Sequence, residues 1–223
     1  MTGLPLEAPR WRRPEGTTLR VVLVRHGEPE ASAHGRCYGT LDLDLSPRGR
    51  RQMRRVARLL ESVPLTAVYC SPRVRARESA EIVAGPHGLT PRPEDRFREI
   101  DFGSLEGLTY DQAAERFPEI YKAWMERPTE VEFPGGESLS TMRVRVVAAA
   151  SELRGRHEGH TLAVVSHGGV GRILLAEALS LEARHLFRME QSYGAVSVID
   201  YYGHAPLVRL LNAVPARDLG LRC

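Results

Sequence analysis

Two short apolar runs that each end in a histidine constrain this chain more than any other feature. Leu19 to Val24 leads directly into Arg25-His26-Gly27-Glu28, and Thr161 to Val165 leads into Ser166-His167-Gly168-Gly169. Both runs read as buried strands, and an open α/β sheet binds its ligands just beyond the carboxyl ends of its strands. One histidine beside an arginine and one before two glycines, both at such ends, point to a pocket that handles phosphate on a histidine.

The remaining pattern alternates strand and helix, which predicts an α/β fold. The expected architecture is a three-layer sandwich: a mostly parallel central sheet, helices on both faces, and a helical insertion over the active site. Ser46-Pro47 offers an N-cap and a first helical residue, and Met53, Val56, Ala57 and Leu60 follow at helical spacing. Pro64 stops that helix, Leu65 to Cys70 reads as a strand, and Ser71-Pro72 repeats the capped start for a helix to about Gly85. Residues 86–137, closing on Pro134-Gly135-Gly136, form a less regular, lid-like insertion with short helices near 111–117 and 119–125. A long helix over 139–156, a strand over 161–165, a helix over 169–179 and an antiparallel pair over 195–201 and 206–211 complete the reading. Residues 1–18, rich in Pro and Arg, read as a flexible extension, and residues 19–215 as one domain.

Composition narrows the function classes. At 223 residues and 42% hydrophobic, the chain can bury one good core. Nothing reaches the ~18 apolar residues that a membrane helix needs, and the first residues lack a signal-peptide core. Cys37, Cys70 and Cys223 form no C-x-x-C pair, which fits free thiols in a reducing cytosol. The net charge of +3 is slight and the arginines are scattered, so a nucleic-acid role is disfavoured. Lys122 is the only lysine; the base composition of the genome is the favoured reason for that bias, and some of the arginines could still serve the bidentate oxyanion recognition that lysine performs poorly. No histidine pair has zinc-site spacing, and His34, His87, His157, His160, His185 and His204 read as surface residues.

The chemistry follows from what phosphate needs. A dianion requires several fixed donors, and Arg25, Arg75 and His167 would share one sheet edge if their strands are parallel neighbours. Helix starts after Ser71 and Gly168 add backbone donors, among them Gly168 and Gly169. A neutral imidazole is a competent nucleophile, which gives that role to His26. Glu99 is the choice of general acid, with Asp101 and Glu106 as competitors. Tyr38, Phe97 and Phe102 are candidates for an apolar substrate wall.

In their order, these segments resemble the histidine phosphatase superfamily, also called phosphoglycerate mutase-like. The resemblance rests on Arg25-His26-Gly27-Glu28, Ser71-Pro72-x-x-Arg75-Ala76, Glu99 with Phe102-Gly103, Glu106-Gly107, Gly135-Gly136-Glu137-Ser138 and Ser166-His167-Gly168. It implies a nucleophile at His26, phosphate ligands at Arg25, Arg75 and His167, a proton donor at Glu99, and no metal or cofactor. Ser32 stands about where the family often has an asparagine phosphate ligand. The loop Gly35-Arg36-Cys37-Tyr38-Gly39-x-x-Asp42-x-x-Leu45-Ser46-Pro47-x-Gly49 looks like that of α-ribazole phosphatases, with partly similar loops in broad-specificity phosphatases. Ser32, Cys37, Tyr38 and Glu106 are therefore the candidate substrate contacts.

The resulting expectation is a cytoplasmic, metal-independent phosphomonoesterase acting through a phosphohistidine. Its substrate would be a small phosphomonoester, with α-ribazole 5′-phosphate of cobalamin biosynthesis as the named candidate. Specificity would lie in the Glu30–Asp42 loop and the Ser104–Glu137 insertion. A phosphoglycerate mutase is the first alternative; against it stand the missing Glu-Arg-x-Tyr-Gly segment and the missing lysine-bearing insertion. A non-catalytic phospho-ligand-binding domain is the second. A homodimer through a sheet edge is plausible, with no membrane partner.

Overall fold

The computed structural model describes residues 13–203 and 205–215. Residues 1–12 of the expected extension, His204 and Cys223 lie outside them. A six-stranded sheet runs in the order β3-β2-β4-β1-β5-β6. Its strands are β1 (Leu19–Arg25), β2 (Ala67–Cys70), β3 (Arg92–Pro93), β4 (His160–Ser166), β5 (Val196–Tyr202) and β6 (Ala205–Ala213). β1, β4, β2 and β3 are mutually parallel; β5 and β6 run antiparallel at one side.

Alternation along each strand divides the core into two layers, because successive side chains leave opposite faces of a sheet. On β1, Val22 and Val24 pack with Met53, Val56 and Leu60 of α1 (Pro47–Leu60) and Ala80 and Val83 of α2 (Val74–Ala84). Leu19 and Leu23 face the other way. They meet Met142, Val146 and Ala149 of α5 (Leu139–Arg156) and Ile173 and Leu174 of α6 (Gly168–Leu179). The expected α/β sandwich with helices on both faces is the one observed.

The insertion carries α3 (Tyr110–Arg116) and α4 (Pro118–Glu126) over a small core of its own. Leu105, Ala113, Val131 and Phe133 are buried there, and Cys37 joins them from the β1–α1 connection. Two local expectations change. Ser46 caps α1, accepting the Gly49 amide at 2.9 Å, but Ser71 does not cap α2, which begins at Val74 behind Arg73. The two-residue strand β3, inside the stretch read as insertion, joins the sheet edge beside β2. Of residues 13–18, Thr18 is tied to the sheet through its amide to Tyr201 O, 2.8 Å.

Candidate active site

Register brings the site together. Arg25 on β1 lies opposite Ser166 on β4, and Cys70 on β2 lies opposite Val165. The next residues of the three strands, His26, His167 and Ser71, therefore emerge side by side. The His26 amide donates to Ser166 O at 2.9 Å, and the two imidazole centroids are 5.1 Å apart at 66°.

Both histidines are buried. His26 Nδ1 lies 2.7 Å from Gly27 O; a carbonyl only accepts, so Nδ1 holds the proton and Nε2 keeps its lone pair. His167 Nε2 pairs with Ser71 Oγ at 2.7 Å, which is where the expected helix cap is spent. Burial, then the neighbouring Arg75 and Arg25 guanidiniums, hold the His26 pKa well below 6.5, against a smaller opposing effect of the Gly27 bond. His167 is depressed likewise, by burial first and then by Arg75, His26, Arg25 and Arg73. Both imidazoles are consequently neutral at pH 7.

The loop after His26 is pressed against the first turn of α1. A Cβ on Gly27 would sit 2.5 Å from Gly49 O, and one on Gly49 would sit 2.1 Å from Glu28 O. Behind the loop, the Gly27 amide donates to Ser79 Oγ at 3.1 Å, and that hydroxyl donates to Arg75 O at 2.7 Å.

Arg75 is fully buried and anchored by Leu41 O at 2.7 Å and Gly39 O at 3.0 Å. Arg25 donates through Nη1 to Gln191 O. Each guanidinium has an aromatic ring over it, Tyr193 at 4.0 Å from Arg25 and Tyr38 at 5.1 Å from Arg75. The two tyrosine hydroxyls hydrogen-bond to each other above the arginines. Six buried side-chain nitrogens among the described residues have no hydrogen-bond partner, and three of them belong here: Arg25 Nε, Arg75 Nε and His167 Nδ1. Buried polar groups are rarely left so unless a ligand or water serves them.

Glu99 reaches the same space from the loop after β3. Its Oε2 accepts the Gly169 amide at 3.1 Å and its Oε1 the Ile100 amide at 3.0 Å. A side chain at 169 would meet Glu99 Oε1 at 2.3 Å, so the glycine is required by the approach of the carboxylate. Arg145 of α5 holds this loop from behind, donating to the carbonyls of Arg96 (2.7 Å), Arg98 (2.8 Å) and Glu99 (3.1 Å) and pairing with Glu137.

Arg25, His26, Arg75, Glu99 and Gly169 line one cavity of about 400 Å³. Cys37 and Tyr38 line it as well, together with Phe102, Tyr110, Trp124 and Phe133 of the insertion. His167, its ring centroid 5.1 Å from that of His26, is not part of this lining, and Gly168 starts α6 beside the guanidiniums of Arg25 and Arg172. Burial, then Glu106, pushes the Cys37 thiol up to about 11, so it stays protonated. Three candidates lie elsewhere. The Glu106 carboxylate is occupied by the amides of Gly39, Thr40 and Phe102 (2.8–3.1 Å) and latches two loops together. Ser32 is exposed and does not line the cavity, and Phe97 is in the main core. Among the described residues no cluster of His, Cys, Asp or Glu could hold a metal ion, and no helix is long and apolar enough to cross a membrane.

The reading from sequence missed Arg172, Phe187 and Tyr193, which complete the cavity wall. Arg172 carried a usable signal: it sits one turn into α6, on the side of the helix that starts at Gly168.

A buried neutral imidazole with a free lone pair, two guanidiniums and a carboxyl, gathered at one cavity, are the side chains that phosphoryl transfer through a histidine calls for. The chain belongs to the histidine phosphatase superfamily, branch 1, whose family model matches residues 21–214. Phosphoserine phosphatase 1 of Hydrogenobacter thermophilus is 34% identical to it over 194 residues, 87% of this chain and 92% of that one. Among solved structures, Bacillus stearothermophilus YhfR superposes with a TM-score of 0.83 at 31% identity, covering 88% of this chain and 98% of that one. The α-ribazole phosphatase of Shigella flexneri gives 0.79 at 26% identity, covering 87% and 96%. With these relatives, the chain is a phosphoric monoester hydrolase.

Proposed function

We propose that this chain hydrolyses a small phosphomonoester in two steps through a phosphohistidine at His26, without a metal ion. In the first step the Nε2 lone pair attacks phosphorus and the bond to the ester oxygen breaks. Glu99, as the carboxylic acid, gives its proton to that departing oxygen. In the second step a water oxygen attacks phosphorus, Glu99 takes the water's proton, and phosphate leaves His26 as it began. Splitting the reaction this way replaces one difficult displacement by two easier ones. Arg25, Arg75 and His167 would bind the phosphoryl oxygens.

The observation that carries this reading is the set of buried nitrogens without a hydrogen-bond partner, Arg25 Nε, Arg75 Nε and His167 Nδ1, near a neutral imidazole at His26. Two substrate candidates stand beside each other. The aromatic wall of Phe102, Trp124 and Phe133 suits an aromatic leaving group such as that of α-ribazole 5′-phosphate. The relative at 34% identity acts, by its name, on phosphoserine. Alkaline quench during turnover of a ³²P-labelled ester should trap label on the protein that survives alkali and is released by acid. His26→Ala should abolish both label and turnover, and full turnover by that variant would end the proposal.

A further inference from the structure

Beside His167 stands a fully buried serine whose hydroxyl has just two partners among the described residues. Ser71 follows β2 directly, and its amide donates to Val165 O of β4 at 3.1 Å, which fixes it against the strand that leads to His167. Pro72 has no N–H, so the first amide able to turn back is that of Arg73, which donates to Ser71 Oγ at 3.3 Å. The other partner is His167 Nε2, at 2.7 Å.

Counting protons gives that second bond a direction. A serine hydroxyl has one proton and two lone pairs, and a neutral imidazole has one N–H and one bare nitrogen. The Arg73 amide takes one lone pair. If His167 Nε2 also donated, the Ser71 proton would be buried without an acceptor, a cost larger than the usual net gain from a hydrogen bond. The serine therefore donates to Nε2, and the His167 proton sits on Nδ1. That nitrogen is buried and has no partner in the protein. The His26 ring lies 5.1 Å away between centroids, and the Arg75 and Arg25 guanidiniums are near enough to act on the imidazole. A bare Nδ1 would turn a lone pair on a phosphoryl oxygen and repel it, whereas an N–H binds it.

Resting on the proposed phosphatase reading, we propose that Ser71 is a positioning residue: it fixes the Nδ1–H tautomer of His167 and so keeps that proton for a phosphoryl oxygen. Gly27 O occupies the His26 proton and leaves that ring a lone pair; Ser71 occupies the His167 lone pair and leaves that ring an N–H.

NMR of protein labelled with ¹⁵N-histidine reads the tautomer directly, His167→Asn identifying the His167 signals by their loss. At neutral pH and without substrate, wild-type His167 should show a protonated Nδ1 and a bare Nε2; the reverse assignment overturns the inference. In Ser71→Ala the proton should redistribute towards Nε2, and kcat/KM on p-nitrophenyl phosphate should fall by about 10–100-fold, the worth of one hydrogen bond to an anion. An unchanged tautomer in that variant, or unchanged activity, refutes the role. A second comparison uses shape: the amide nitrogen of asparagine lies about where Nδ1 does, and that of glutamine about where Nε2 does. His167→Asn should therefore exceed His167→Gln in kcat/KM by about tenfold, and equal or reversed values count against the inference. Should Ser71→Ala not fold, the wild-type tautomer and this comparison decide. If wild-type protein hydrolyses no phosphomonoester, it is the phosphatase reading that falls, while the tautomer of the resting protein still decides what Ser71 does.

Discussion

A buried imidazole flanked by two guanidiniums stays neutral further into acid than a free one, and the sign of this shift has consequences for the whole protein. In the unfolded chain His26 and His167 titrate near 6.5; in the folded chain both titrate lower. Between those values the unfolded chain binds more protons, so stability rises with pH across that window. It is fully present above 6.5 and is lost as pH falls towards the folded values. Thermal unfolding should therefore show a lower Tm at about pH 5.5 than at about pH 7.5, a difference that shrinks when both histidines are replaced. The acid limb of kcat/KM should likewise lie below pH 6.5, where the His26 lone pair is lost. Glu99→Gln should lower kcat by about 10²–10⁴-fold on alkyl phosphates and much less on p-nitrophenyl phosphate, whose leaving group needs no proton. Equal losses on both would remove Glu99 from the acid role. His26, Arg25, Arg75, Glu99 and His167 were legible because each stands at a strand end or in a short motif. Tyr193 was not, because what matters for it is a contact across the cavity rather than a neighbour along the chain.

Elements hold these residues by contacts that carry no chemistry themselves. Arg145 pins three carbonyls of the loop that bears Glu99, so Arg145→Leu should reduce kcat by about 10–100-fold, the effect of a slightly misplaced acid. Near wild-type kcat in that variant would show that the loop holds itself. The close approach of α1 to the loop after His26 makes a parallel case. Gly49→Ala would force a methyl to 2.1 Å from Glu28 O and should destabilise the fold by about 1–3 kcal/mol while shifting His26. Chemical denaturation and kcat measured together check this. Arg20 on β1 and Asp200 on β5 face each other in register and pair through two bonds of 2.6 and 2.8 Å, both side chains buried. Asp200→Ala should cost about 3–5 kcal/mol in unfolding free energy, since it removes the buried carboxylate that Arg20 and Arg209 share. Sequence patterns predicted most of these elements, and the failures have local causes. Ser71-Pro72 carries a helix-start signature, but the hydroxyl goes to His167 and the helix waits for Val74. β3 has no periodicity to read, because two residues are ordered only by the edge of β2.

At the scale of the molecule, alternating strand and helix signals made the α/β architecture legible, whereas the order of the strands was not. No local pattern says that β4 lies between β1 and β2, and that placement decides when the site exists. β1 and β2 each pair with β4 and have no pairing with each other. His26, Arg75 and Glu99 all precede β4 in the chain, yet the strand that aligns them arrives more than sixty residues after Glu99. Contacts so distant along the chain form late in folding. In refolding from denaturant, amide protection of β4 and regain of activity should therefore appear together, and activity preceding protection would refute the link. A growing polypeptide that already displays His26, Arg25, Arg75 and Glu99 is for that reason mute: these side chains share no common edge until the central strand has been translated and has taken its place between β1 and β2.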